Sequence, residues 1–233
     1  MKLFNILDPC RRHICLVVMA IALCTAAQNA FAASVLQQNL VDLIEESNAI
    51  MVGTVKKVTD GFTDQGVPYT EVTLAISENI LGAKVKNGAN NGVNNGVNNE
   101  ADTYTFRQFG LLKPREIGGR TYLGTTPEGW PNWSKREHVL VFMSTPARLT
   151  GLQTTVGLNQ GKLQWSDGRL MNSENNVGMF SNMKITATDL SKEQTAMLSA
   201  QGGKAIDAQP FVALVRRAVK EDWIARGVMR HEK

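Results

Sequence analysis

The run Val139-Leu-Val-Phe-Met143 is apolar at every position, so it has no face to offer to water. A strand of that kind belongs in the middle of a sheet that is covered on both sides, and this constrains the fold more than any other stretch of the chain. Its counterpart is Tyr69-Thr-Glu-Val-Thr-Leu-Ala-Ile76, which alternates. Thr70, Val72, Leu74 and Ile76 share one face and Tyr69, Glu71 and Thr73 the other, the pattern of a half-buried antiparallel strand. A third strand, Ile50 to Val58, loses its alternation at Gly53, as a bulge or sharp bend would require. Asp60 to Gly66 is a turn-rich connection. Thr103 to Phe109 returns to strand pattern. Thr154 to Leu158 and Lys162 to Trp165, with Asn159-Gln160-Gly161 between them, read as a hairpin, and Ser166-Asp-Gly168 turns toward Arg169-Leu-Met171.

The cover comes from helices. Ser34-Val-Leu-Gln37 has a capping-box pattern, and Val35, Leu36, Leu40, Leu43 and Ile44 then recur at helical spacing as far as Ser47. The C-terminal part, residues 188–226, is helical: Leu190 to Ala200, then Pro210 to about Ala225. In the last helix Phe211, Val212, Leu214, Val215, Ala218, Val219 and Trp223 form a broad stripe that suits the outer face of Val139–Met143. No βαβ alternation occurs, which argues against a parallel sheet. The expected fold is mainly β: a small curled antiparallel sheet or a barrel of the oligonucleotide/oligosaccharide-binding (OB) type, with an N-terminal helix and a C-terminal covering helix.

Residues 1–32 have another texture. Lys2, Arg11 and Arg12 precede the apolar run Ile14 to Leu23, and Ala30-Phe-Ala32 supplies a small-residue cleavage site. This is the pattern of a secretory signal peptide, and its apolar run is too short to span a bilayer. The expected mature protein is a single β-barrel-like domain, residues 33–233, periplasmic or secreted and with no transmembrane anchor. Cys10, Cys15 and Cys24 all lie in the leader, which removes disulfides, thiol nucleophiles and cysteine zinc sites from the mature protein. Losing Lys2, Arg11, Arg12 and Asp8 with the leader lowers the formal net charge from +4 to +2, so the basic balance overstates any attraction to nucleic acid. Residues 87–100 hold a short Asn/Gly/Val repeat with almost nothing to bury, a flexible insertion at a hairpin tip. A calcium-binding repeat would want carboxylates where this one has Asn.

The search for chemistry returns little. His138 and His231 are the histidines outside the leader, too few for a His-rich metal site, and neither a metal nor a cofactor is expected. No G-x-S-x-G elbow accompanies His138, and Gly118-Gly119 lacks the residues of a phosphate loop. Basic residues gather on the solvent side of the last helix, so no nucleic-acid partner is expected. Glu71, Glu78, Glu116 and Glu128 could supply the carboxylate pair of an envelope-polymer hydrolase, the alternative reading together with a small-ligand or glycan-binding protein. No catalytic residue is assigned. The long connection from Gly110 to Lys135 carries Trp130 and Trp133, whose indoles either provide contact area or plug the mouth of the barrel. Arg107, Gln108 and Gln160 put polar side chains inside strand or hairpin segments, where they satisfy buried backbone or line a groove. These five residues are the candidate binding residues. The leading reading is a non-enzymatic exported module that engages another exported protein, a protease being one example, with its oligomeric state left open.

Met51-Val-Gly-Thr-Val55, Tyr69 to Leu74 with Glu78-Asn-Ile-Leu-Gly82, Phe106-Arg-Gln-Phe-Gly110, Glu137 to Phe142 and Val156 to Gly161 together resemble a group of uncharacterised exported bacterial proteins. The resemblance covers most of residues 35–220 and implies a compartment and a fold, not a site. More loosely, the arrangement is similar to the netrin-like barrel of tissue metalloprotease inhibitors. The N-terminal cysteine with which those inhibitors chelate zinc has no equivalent here, so their mechanism does not carry over.

Overall fold

A computed structural model of the chain describes residues 36–82, 102–124, 126–200 and 203–232. The leader, residues 1–32, and the Asn/Gly/Val insertion, residues 87–100, lie outside the described residues. The protein is mainly β, as its alternating segments require. Its strands are β1 (Ala49–Phe62), β2 (Pro68–Leu81), β3 (Thr103–Phe109), β4 (Arg115–Ile117), β5 (Arg120–Tyr122), β6 (His138–Met143), β7 (Lys162–Ser166), β8 (Arg169–Met171), β9 (Met183–Ile185), β10 (Ile206–Asp207) and β11 (Met229–His231). Among the described residues the helices are α1 (Leu40–Glu45), α2 (Lys192–Ser199) and α3 (Ala208–Lys220).

Seven strands form one antiparallel sheet in the order β10-β8-β7-β6-β1-β2-β3. It is open: among the described residues no ladder joins β3 to β10, so the curled sheet and not the closed barrel is what forms. The outer edge of β3 takes one backbone bond from the segment that bridges to β6, Gln153 N to Arg107 O at 2.7 Å. The long β1–β2 hairpin turns at Thr63 to Val67, where Gly66 takes a φ of 75°. Strand pairing therefore continues through Asp60 to Phe62, part of the stretch whose composition reads as turn. Gly53 is a register break, as its interrupted alternation predicts. A Cβ there would stand 2.6 Å from Ala75 O, so only glycine lets the two strands approach.

The all-apolar strand β6 is interior, with β1 on one side and β7 on the other. Its odd and even residues feed two separate cores. Leu140 and Phe142 pack in a cluster with Leu40, Leu43, Phe211, Leu214, Val215, Trp223 and Met229, so α3 covers this face as its stripe predicts. Val139, Val141 and Met143 pack on the opposite face with Met51, Val55, Val72, Leu74, Phe106 and Trp133.

Three local expectations are corrected. The first helix begins at Leu40, well after the Ser34 pattern, because Asn39 accepts from the Val41 and Asp42 N–H groups while Asp42 answers at the Asn39 N–H. Leu36 is left 78% exposed. The helix is fixed from far along the chain: Leu40 N donates to Met179 O at 2.8 Å, Asn39 Nδ2 donates to Ser181 O at 3.0 Å, and His231 Nε2 lies 3.3 Å from Asp42 Oδ1. Residues 154–158 and 162–165 do not pair with each other. Thr155 bridges to Met143 and β7 pairs with β6, so both segments lie along β6 and a 3-10 turn, Leu158–Gly161, joins them. The connection after Gly110 is not structureless either: β4 and β5 form a hairpin about Gly118-Gly119, pinned to Asp60 of β1 by Arg115 and by Leu112 N. Beyond the helical part, residues Met229–His231 add a strand that pairs with β9.

Candidate functional site

Strand β3 sorts the candidate residues by parity. Its even positions face the inner core and its odd positions face out, because β2 and β3 pair Tyr69 with Phe109, Glu71 with Arg107 and Thr73 with Thr105. Gln108 is accordingly 1% exposed. Its Nε2 donates to Pro131 O at 2.9 Å and its Oε1 accepts from Trp133 Nε1 at 2.9 Å. Trp133 itself is 7% exposed, edge-on to Phe106 with ring centroids 5.2 Å apart. Lys162 Nζ caps the indole 4.8 Å from its centroid and pairs with Glu137 Oε2 at 2.8 Å. Trp133 and Gln108 are therefore packed into the inner core, and neither presents a contact surface.

Gln160 is buried as well. Its Oε1 accepts from Gln38 N at 2.7 Å and its Nε2 donates to Leu36 O at 3.0 Å, so the side-chain amide pairs with the chain before α1 as a strand backbone would. The loop after β8 is built in the same manner by two buried amides. Asn172 Oδ1 accepts from Glu174 N and Asn176 N, and Asn176 Nδ2 donates to Leu170 O and Lys204 O.

The other two candidates do meet the surface, and they meet it together. The Arg107 guanidinium lies over the Tyr69 ring at 4.2 Å while its Nε donates to Glu71 Oε2 at 2.7 Å. Bonding to Glu71 raises the Arg107 pKa above its ordinary value, so its charge is permanent. Tyr69 lies flat across the sheet because Gly61 beneath it has no side chain: a Cβ there would be 2.9 Å from the Tyr69 hydroxyl. Next along the row, Phe109 is 39% exposed and meets Trp130 edge to face at 6.5 Å. Trp130 is held in turn by its N–H to Pro127 O at 3.1 Å, and Asn159 N donates to Gly129 O at 3.0 Å. The result is a half-exposed ridge of Tyr69, Arg107, Phe109 and Trp130 on the outer face. Leu112, Ile117 and Leu123 are exposed on the adjoining connection. Composition alone did not single out Tyr69 and Phe109. The signal was the alternation of two strands combined with their register, and only the pairing supplies the register.

The carboxylates do not converge. Glu71 is committed to Arg107, and Glu78 takes Arg216 in a bidentate pair at 2.5 and 3.0 Å. Seven residues of one strand separate them, roughly 23 Å, against the ~5–10 Å between the carboxylates of glycosidases. Glu116 and Glu128 are exposed on the connection. His138 faces the Thr54 hydroxyl at 3.0 Å and the Trp165 ring at 5.0 Å. Burial lowers its pKa, partly opposed by a bond with the Gly53 backbone. Burial likewise raises the Tyr104 phenol, with its bond to Gln153 acting the other way. Among the described residues no group of three His, Cys, Asp or Glu side chains is placed to hold a metal ion, and no helix is long and apolar enough to cross a membrane. An open cleft of about 370 Å³ beside α2 is lined by Phe180, Met197 and Ile206 with Arg169 and Glu193.

No protein-family model matches the chain, and no curated protein matches it.

Proposed function

We propose that this chain is an exported, non-enzymatic binding module that engages a protein partner through the ridge of Tyr69, Arg107, Phe109 and Trp130. The observation that carries the reading is the stacked Arg107–Tyr69 pair running directly into the Phe109–Trp130 pair on one exposed strand face. Aromatic and arginine side chains dominate the binding energy of protein interfaces: aromatic rings cover a large area with few torsions to freeze, and the planar guanidinium stacks and hydrogen-bonds at once. Here they are already ordered by their neighbours: Gly61 beneath Tyr69, Glu71 beside Arg107 and the Pro127 turn behind Trp130. Such preorganisation lowers the entropy lost on association. Export rests on the leader pattern, and the resemblance to exported bacterial proteins agrees with it.

The test is a photo-crosslinking amino acid at Thr105, which is exposed on the same face. A discrete protein adduct should form in an envelope fraction of the producing cells. Phe109→Ala with Trp130→Ala should weaken it by about two orders of magnitude, from roughly 2 kcal/mol per truncated anchor with partial additivity. An adduct indifferent to that double change refutes the ridge. Hydrolysis of envelope glycan by the purified protein, lost in Glu71→Gln, would transfer the function to the alternative reading.

A further inference from the structure

The same sheet face carries a second feature, one that the linear sequence hides. Strand β1 shifts register between Val55 and Lys57. Opposite the shift, Arg136 N donates to Val55 O and Val55 N donates to Glu137 O, both at 2.8 Å. The bulge brings Lys56 and Lys57 alongside Lys135 and Arg136, and all four are exposed. Among the described residues none of the four joins an ion pair. The acids nearby are already committed, Glu137 to Lys162 and the Ser134 N–H, and Glu71 to Arg107. Lys57 stands opposite Thr73, whose hydroxyl meets that of Thr105 at 3.1 Å, so this row of the face offers no negative charge.

Arg136 is also strained. Its φ is 75°, a left-handed conformation that glycine adopts freely and that a side chain resists. The turn would be more relaxed with glycine, so backbone geometry does not account for an arginine there. Strain retained at a charged, exposed position points to a use for the charge.

We infer that the partner segment seated on this face is acidic where it meets Lys56, Lys57, Lys135 and Arg136, and apolar where it meets the aromatic ridge. This rests on the reading of the ridge as a protein-binding surface. The spacing is set by the strand: from Lys57 to Gly61, which carries Tyr69, is four residues, about 13 Å at 3.3 Å per residue. An extended partner segment crosses that distance in about four residues of its own. The like charges do two things: they raise the rate of encounter with an acidic segment and they repel basic ones.

The experiment places the photo-crosslinker at Thr73, directly opposite Lys57 at the basic end, in the full chain. The cross-linked partner peptide, mapped by mass spectrometry, should contain at least two Asp or Glu residues about four positions from an apolar residue. Its yield should fall about ten-fold or more in Lys56→Glu with Lys57→Glu. It should also fall between 50 and 300 mM salt, as the Debye length shortens from about 14 to about 6 Å. Arg136→Gly should lower the yield while leaving the fold at least as stable, which separates lost charge from lost structure. An adduct lost in Phe109→Ala with Trp130→Ala but indifferent to charge reversal and salt overturns this inference and leaves the ridge standing. Indifference to both sets overturns both. Cross-linking to phosphatidylglycerol vesicles in preference to any protein overturns it too, since the cations would then serve a membrane surface.

Discussion

Trp133 separates packing from binding most sharply. If it belongs to the inner core, replacing it with phenylalanine keeps a ring against Phe106 but removes the donor of the 2.9 Å bond to Gln108 Oε1. An orphaned buried acceptor costs about 1–3 kcal/mol, and the smaller ring leaves a void worth about 1 kcal/mol more. Gln108→Leu strips both the Trp133 N–H and Pro131 O of their partner, a loss of about 2–4 kcal/mol. The double variant should lose less than the two single losses together, by about 1 kcal/mol or more, because each change removes the group the other orphans. Urea denaturation followed by far-ultraviolet circular dichroism is the assay, as tryptophan fluorescence would change with the substitution itself. At 25 °C, where the folded state still dominates, Trp133→Phe should leave the Thr105 adduct intact while Trp130→Ala weakens it about thirty-fold, from roughly 2 kcal/mol. A Trp133→Phe midpoint within about 0.5 kcal/mol of the parent, together with simple additivity, would refute the buried bond and return Trp133 to the surface.

Arg136→Gly should stabilise the protein by about 1 kcal/mol, the left-handed penalty less the added freedom of glycine in the unfolded chain, read as a higher urea midpoint. His138 has a folded pKa held below its ordinary 6.5, so the unfolded chain binds the extra proton first. Its contribution is complete above about pH 6.5 and is lost as pH falls through the window beneath; His138→Gln should flatten the urea midpoint between pH 5.5 and 7.5, and an unchanged slope would contradict its burial. Asn176 is 1% exposed and bonds Leu170 O, Lys204 O and the Asn172 N–H, so Asn176→Ala should cost about 3 kcal/mol or more, with amide exchange rising first in residues 170–176; a loss under about 1 kcal/mol would mean that the loop stands without it.

What could be read from the sequence was periodicity. The all-apolar run became the interior strand β6, Tyr69–Ile76 became the alternating half of β2, and the stripe on the last helix became the cover of one core. What could not be read was register. Gly53 announced a bulge because a missing side chain is visible in one dimension. The shift at Val55 to Lys57 uses ordinary residues and left no mark, so the meeting of Lys56 and Lys57 with Lys135 and Arg136 was hidden. Side-chain amides that imitate backbone were equally silent: Gln160, Asn172 and Asn176 look like surface polar residues until their buried partners are known. Two of the five candidate residues, Arg107 and Trp130, proved to share a surface. Gln108 was separated from it by parity, since adjacent positions on one strand point opposite ways, and Trp133 goes with it because its indole N–H bonds the buried Gln108 amide.

The anchoring of α1 governs how the chain must be made. Gln38 and Asn39 find their partners 122 and 142 residues later, at Gln160 and Ser181. A polypeptide that emerges N-terminal end first, at roughly 5–20 residues per second, carries Leu40, Val41, Leu43 and Ile44 incompletely covered for about 7–30 s before the surfaces that bury them are complete. In that interval the helix has only part of its core, the β1 and β6 residues Ile50, Val52, Leu140 and Phe142, and aggregation competes with maturation. The bonds that fix α1 close only once residues 160 and 181 have emerged, so the yield of native protein should depend on whatever shields those four side chains until then.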